Sequence, residues 1–435
     1  MKKFLSSLVA LLAVVFIALA TLYVMGTRDD SSVGADRLAG DGMPLGAAAT
    51  QPDKAAMIDQ GRYLATVGNC IGCHTVQGGK PYAGGTPIPT PFGTLYGPNI
   101  TPDAQAGIGQ WSADDFWQAL HNGKGRDGTL LYPAFPYTEY TKVSRADADA
   151  LYAFLMAQPA SDTPSRAHEL KFPYNQRPLL AFWRALYFTP GVQTNDAGQD
   201  AMWNRGRYLV DGLAHCAACH TVRNSLGATV AAQNLGGGMI DSLGWWAPAL
   251  TNHRDVGLGR WSETDIFDLL KTGVSAQGTA SGPMGEIVTH SLQYLQDDDA
   301  RAMARYLKTL PDTPAVDAGD GAAPDGATMQ IGAKLYTQYC AQCHQSKGEG
   351  APPAWPALAG NISVTAPSPR NAILMVLEGG FAPATAANPQ PHGMPPFSQV
   401  LNDNDVAALV SYIRNSWGNN AGNVTPLSVK RARDG

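Results

Sequence analysis

All six cysteines of this 435-residue chain fall in one repeated pattern. Cys70 and Cys73 are followed at once by His74, Cys216 and Cys219 by His220, and Cys340 and Cys343 by His344. Cys-x-x-Cys-His is the attachment motif of c-type heme. The chemistry explains the spacing: two thiols add across the two vinyl groups of one porphyrin, and the next side chain offers an imidazole nitrogen to the iron. At this chain's Cys and His frequencies, chance gives on the order of 10⁻³ matches to the pattern. Disulfides would not require a histidine after each pair. A zinc site would join two Cys-x-x-Cys pairs, but Cys70 and Cys216 are 146 positions apart and Cys216 and Cys340 are 124 apart. A thioredoxin-like motif would occur once, beside a βαβ pattern. Three covalently bound heme c groups are therefore expected, with His74, His220 and His344 as iron ligands.

The segments around the motifs repeat as well. Gly61-Arg62-Tyr63-Leu64, Gly206-Arg207-Tyr208-Leu209 and Gly332-Ala333-Lys334-Leu335 each precede a motif on a helical stretch, and a glycine there lets another helix approach closely. In the first two repeats a second helix follows. Ser112 and Ser262 read as its N-caps, each with an acidic residue three positions on. Each repeat closes with a helix whose apolar residues recur at i, i+3, i+4 and i+7: Ala148, Leu151, Tyr152 and Leu155; Ala300, Met303, Ala304 and Leu307; Val406, Leu409, Val410 and Ile413. An aromatic recurs at one register of that helix, as Phe154, Tyr306 and Tyr412. These stripes read as walls of a core. Each repeat thus has about 100 residues, a few helices and much loop, with no need of a sheet. The 47 glycines and 31 prolines suit long loops around a porphyrin that supplies apolar core.

Methionine is the usual ligand opposite histidine in such proteins and raises the potential relative to a second histidine. Met394, in Met394-Pro395-Pro396-Phe397, lies 18 residues before Tyr412, and Met284, in Pro283-Met284-Gly285, lies 22 before Tyr306. Both are expected in a loop ahead of the closing helix. The first repeat departs: 19 residues before Phe154 stands Phe135, which cannot bind iron. Met156, on the closing helix, is the candidate there, with His121 and an open or water-bound iron as alternatives. A proline also recurs after each motif, at Pro98, Pro248 and Pro356; it reads either as an ordinary loop proline or as one whose carbonyl accepts the second ring N–H of the axial histidine.

The N-terminus carries Lys2 and Lys3 and then an apolar run from Phe4 to Met25, long enough to cross a bilayer of ~30 Å. The lysines face the cytoplasm by the positive-inside rule. Ala18-Leu19-Ala20 offers a cleavage site, but the apolar run continues beyond it, which favours an uncleaved anchor over residues 1–27. The body is exported in either case, as attachment of heme c outside the cytoplasm requires. Residues 28–56 read as a flexible tether and 312–328 as a linker. Residues 161–200 are too aromatic for a free linker; they read as a strap across the first two repeats, or as a docking surface for a partner protein or the membrane. The Lys430-Arg431-Ala432-Arg433 tail reads as a solvated end. With a net charge of −5 and no basic stripe, nucleic acid is not expected as a partner.

With these motifs in hand, the chain resembles the triheme cytochrome c subunit of bacterial membrane-bound dehydrogenases, including the alcohol, gluconate, fructose and aldehyde-oxidising complexes. Related cytochromes serve molybdenum hydroxylases. The resemblance covers nearly all of residues 57–417 and is most specific in Leu131-Tyr132-Pro133-Ala134-Phe135-Pro136-Tyr137, Asn204-Arg205-Gly206-Arg207-Tyr208-Leu209 and Gly282-Pro283-Met284-Gly285-Glu286. It implies an all-α fold of three tandem class I cytochrome c domains, at 57–160, 201–311 and 329–420, behind an N-terminal membrane anchor. It also implies electron transfer from a catalytic dehydrogenase subunit to ubiquinone or a terminal oxidase, on the periplasmic side of the inner membrane. Some members have Met where this chain has Phe135. No Ser/His/Asp arrangement, dinucleotide fingerprint or metal-hydrolase motif is present, so the chain is expected not to be an enzyme on its own. The rival readings are a multiheme peroxidase or nitrite-reducing enzyme using an open first heme, and a free-standing electron carrier.

Overall fold

The computed structural model describes residues 2–29, 53–312 and 322–434. Most of the expected tether and the middle of the expected linker lie outside them. The chain divides into two compact units. The first runs to Asn195 apart from Thr66–Asn69, and the second holds those four residues and everything from Asp196 onward.

The first unit begins with helix α1 (Lys2–Thr27). Within it Ser6–Thr27 has a mean hydropathy of 2.8 and is apolar and long enough to cross a membrane. Helices α2 (Lys54–Val67) and α3 (Cys70–His74) carry the first motif, followed by strands β1 (Pro87–Thr90) and β2 (Gly93–Tyr96) and helices α4 (Ala113–Asn122), α5 (Tyr137–Tyr140) and α6 (Arg145–Met156). Strand β3 (Glu169–Leu170) pairs antiparallel with β2, and helix α7 (Leu180–Tyr187) ends the unit. Ser112 caps α4 in a capping box with Asp115, as expected from the sequence.

In the second unit α8 (Ala201–Tyr208) leads to the second motif on α9 (Ala217–His220), hairpin β4 (Gly238–Ile240) and β5 (Trp245–Ala247), and α10 (Glu263–Thr272), capped by Ser262 with Asp265. The short pair β6 (Val274–Ser275) and β7 (Gly278–Thr279) precedes α11 (Pro283–His290) and α12 (Asp297–Lys308). The third motif lies between α13 (Gly326–Tyr339) and α14 (Ala341–His344). It is followed by α15 (Ile362–Thr365), α16 (Arg370–Glu378), strands β8 (Gly380–Phe381) and β9 (Gly393–Met394), α17 (Asp403–Arg414) and α18 (Pro426–Arg433).

One packing device recurs in all three repeats. A Cβ built on Gly61 would overlap the Ala150 carbonyl and sit 2.7 Å from Cβ of Phe154. Gly206 meets Ala302 and Tyr306, the latter at 2.9 Å, and Gly332 meets Ala408 and Tyr412, the latter at 2.5 Å. Backbone-to-backbone contact at these crossings leaves no room for a side chain. The glycine and the recurring aromatic are therefore the two halves of one helix crossing.

Several expectations meet the structure here. Small antiparallel sheets are present: the strands are two to four residues long, so they close loops between helices without building a layer. Of the 161–200 segment, residues 196–200 belong to the second unit, where Asp196 bonds Asn204, and the aromatic part lies in the first. It packs within the first unit, where Leu180 and Ala181 join Leu130 and Tyr132 in a small core. The basic C-terminal segment is no solvated end, because Val429 and Ala432 of α18 are buried in the core of the third repeat. Arg433 donates to the carbonyls of Ser398 and Leu401 and pairs with Asp403 at 2.8 Å. Finally, the third repeat has a middle helix too, α16, which lacks the Trp-Ser start that marks the other two.

The second and third repeats are joined inside the second unit. Asn371 at the start of α16 accepts from the Trp246 N–H and donates to the Trp246 carbonyl, both at 2.8 Å. Arg370 Nε donates to the Gly244 carbonyl at 2.8 Å, and Thr385 donates to the Thr272 carbonyl at 3.1 Å.

Candidate heme sites

Each motif winds into a short helical turn that closes on its histidine. The imidazole Nδ1 atoms of His74, His220 and His344 lie 2.8, 2.7 and 2.9 Å from the carbonyl oxygens of Pro98, Pro248 and Pro356. A carbonyl can only accept, so Nδ1 carries the hydrogen and the lone pair sits on Nε2. Burial lowers the affinity of all three imidazoles for a proton, partly opposed by the carbonyl bond, and so keeps them neutral. A neutral, oriented imidazole is the form that ligates iron.

The carbonyl is held in turn by a glycine that sequence reasoning did not single out. Gly84, Gly237 and Gly350 all have positive φ, at 78°, 83° and 65°. Their N–H groups donate to the carbonyls of His74, His220 and His344 at 2.7, 2.9 and 3.1 Å. A Cβ on any of them would press into the backbone at Pro98, Pro248 or Pro356 within about 3 Å. One residue thus fixes both the histidine backbone and the acceptor of its ring. The glycines follow their histidines by 10, 17 and 6 positions, a spacing too irregular to be read as a repeat.

None of the six cysteines is joined in a disulfide. Burial pushes the thiols of Cys70, Cys216 and Cys340 up to about 12. No cluster of three or more His, Cys, Asp or Glu side chains suited to a metal occurs among the described residues. Two thiols and a neutral imidazole with a bare Nε2 on one helical turn fit a covalently attached heme. The buried Trp117 indole N–H and Thr86 hydroxyl have no hydrogen-bond partner within the protein.

Both methionines expected in loops lie in short regular elements instead. Met284 opens α11, because Pro283 fits the first turn of a helix, and Gly282 before it (φ 53°) lies against the Trp245 ring. Met394 ends β9, opposite Gly380, and its side chain packs beside the third core. Phe135 stands 5.4 Å from Tyr140, ring to ring. His121 is buried, stacked on Trp117 at 4.5 Å, with Nδ1 3.0 Å from the Thr141 carbonyl. Met156 shares the face of α6 with Asp149 and Tyr152, outside the buried arc of Ala148, Ala150, Leu151, Phe154 and Leu155.

The sequence profile of the family described as Cytochrome c matches residues 58–159, 204–311 and 329–417. The chain belongs to this family. Within it the chain is similar to dehydrogenase subunits. It is 39% identical over 410 residues to the alcohol dehydrogenase (quinone) cytochrome c subunit of Gluconobacter oxydans, covering 89% of this chain and 84% of that one. It is 41% identical to the gluconate 2-dehydrogenase cytochrome c subunit of Pantoea cypripedii, covering 87% and 90%. It is 44% identical to one of the nicotinate dehydrogenase subunits of Pseudomonas putida, covering 83% of this chain but only 30% of that longer protein. The chain is therefore a cytochrome c subunit of the membrane-bound dehydrogenase type, an electron-transferring rather than a catalytic subunit, and carries covalently bound heme c.

Proposed function

We propose that three class I cytochrome c domains, helical apart from their short hairpins and spanning 57–160, 201–311 and 329–420, hold three hemes that relay electrons one at a time. The electrons come from a catalytic dehydrogenase subunit and leave to ubiquinone or a terminal oxidase. The observation that carries this reading is the threefold imidazole-to-proline-carbonyl bond, each one beginning at the histidine of a complete attachment motif. Heme iron, when bound, supplies a reversible one-electron couple. The protein does the rest. Cys70, Cys73, Cys216, Cys219, Cys340 and Cys343 fix the macrocycles, and the carbonyls of Pro98, Pro248 and Pro356 orient the ligand histidines and raise their basicity. Met284 and Met394 would serve as the sixth ligands of the second and third hemes, whose potentials a thioether would raise. Met156 would be the candidate sulfur for the first.

The anchor is α1, uncleaved, in the inner membrane with the domains in the periplasm. Its apolar length and its exposed sides support this. Tagged full-length chain, extracted from membranes in mild detergent, is expected to bring a larger catalytic subunit. The substrate of that subunit should reduce the hemes and a short-chain ubiquinone should reoxidise them. A chain that comes alone, or that turns over peroxide or nitrite by itself, would overturn the assignment.

A further inference from the structure

Helix α7 has two faces. Leu180, Ala181 and Arg184 are buried against the first unit. Leu179, in the turn just before α7, and Phe182, Trp183, Leu186 and Tyr187, spaced i, i+3, i+4, i+7 and i+8, form an apolar stripe on the other side, with Phe182 and Trp183 half-buried. Leu186 is 57% exposed and Leu179 46%. A soluble helix presents polar residues on such a face, and the only charged side chain of this helix, Arg184, points inward and is 2% exposed.

The place of α7 says what covers the stripe. Gly26 of α1 lies against the Ala181 backbone, and the rings of Tyr23 and Phe182 are 5.9 Å apart. Arg184 Nε donates to the Gly26 carbonyl at 2.7 Å and also bonds the Asn122 carbonyl, and Lys124 Nζ donates to the Thr27 carbonyl at 2.8 Å. The cations come from outside α1, cap its C-terminal carbonyls and sit at the negative end of its dipole. Residues of the last turns of a membrane-spanning helix lie at the lipid headgroups. Helix α7 is packed on those turns, and its outer stripe carries Trp and Tyr, the residues favoured at that depth.

We infer that α7 lies in the periplasmic lipid–water interface, its Leu179–Tyr187 stripe in the acyl boundary, and that with α1 it holds the first heme unit against the bilayer. This rests on the reading of α1 as a membrane span, so the test reports on each separately. Leu186→Cys and, independently, Phe16→Cys on α1 (73% exposed) are spin-labelled in the full-length holoprotein, with heme absorption confirming the fold. The protein is reconstituted in phosphatidylethanolamine/phosphatidylglycerol vesicles, and collisions with oxygen and with a water-soluble nickel chelate are compared. Both labels are expected to keep oxygen access and lose nickel access. A Phe16 label in lipid with a Leu186 label open to nickel, or shielded from both probes as beneath protein, overturns the inference alone. A Phe16 label open to nickel overturns the membrane span, and the inference with it.

Discussion

Asn371 grips Trp246 by both backbone groups, accepting from its N–H and donating to its carbonyl at 2.8 Å each. Strand β5 already uses its other edge to pair with β4, so Asn371 satisfies the edge that the second repeat would otherwise leave open against the third. The two repeats are thereby fastened at one buried residue. Asn371→Ala is expected to lower stability by about 2 kcal/mol, since it removes two bonds and strands a buried donor and acceptor. Urea unfolding followed by heme absorbance checks this; an unchanged midpoint would mean that the neighbouring Arg370 and Thr385 bonds suffice.

The helix crossings make a second prediction. Gly61→Ala, Gly206→Ala and Gly332→Ala each drive a methyl group into a backbone carbonyl. Overpacking of this kind costs about 1–3 kcal/mol, more than the gain of roughly 1 kcal/mol in helix propensity. Each variant should still attach heme yet unfold at lower denaturant. A stabilised variant would show that the helices can part there without loss.

His168 links the first unit to pH. Its Nδ1 accepts from the Tyr96 N–H at 3.2 Å, which requires a bare nitrogen, and burial and then Arg177 hold its proton affinity below the usual imidazole value. The folded state thus binds fewer protons than the unfolded chain. Stability is complete above about pH 6.5, the ordinary histidine value, and falls as the pH drops from there toward the lower folded value. His168→Gln keeps an acceptor and removes the titration, so its unfolding midpoint should change less than the wild type's between pH 7.5 and 5.5.

The heme ligands are tested by count and by spectrum. Pyridine hemochrome analysis should give three hemes per chain, and Met394→Ala should lower one potential and remove one sulfur-to-iron charge-transfer band. A titration in which all potentials stay put would make Met394 a core residue only.

At the first heme, electron paramagnetic resonance separates the options left by Phe135. Loss of a sulfur band in Met156→Ala identifies Met156, and loss of a bis-imidazole signal in His121→Ala identifies His121. A high-spin ferric signal in the wild type identifies an open or water-bound iron. Phe135→Met should convert that signal to low spin if the slot is the one Met284 and Met394 occupy in their own repeats.

What could be read most directly from the sequence was what holds a fixed local spacing. The attachment motifs, the i, i+3, i+4, i+7 stripes and the two serine caps are of this kind, because helix geometry and porphyrin dimensions leave their spacing no freedom; the prolines, 24, 28 and 12 residues after their histidines, were legible only as a recurring residue type. Gly84, Gly237 and Gly350 do the same job three times, but loops of different length separate them from their histidines. The hairpins are too short for an alternating pattern to register. The burial of Val429 and Ala432 was hidden by the charges of Lys430, Arg431 and Arg433 around them. In α7 the informative residue was its one charge: an arginine amid apolar neighbours is buried only when it has carbonyls to bind, and Arg184 has two.

The covalent route from α1 to the first motif runs through residues 30–52, but the carbonyls of Gly26 and Thr27 are held directly by Arg184 and Lys124. With α1 spanning the membrane as proposed, that changes the anchor from a leash into a mast. A leashed domain tumbles and offers every face to its surroundings, whereas one bolted to a spanning helix keeps a constant bearing and drifts only sideways. Encounters then become a search in two dimensions between bodies already facing the right way. The turnover of such a complex depends on how many partners share a patch of bilayer, and hardly at all on their concentration in the surrounding water.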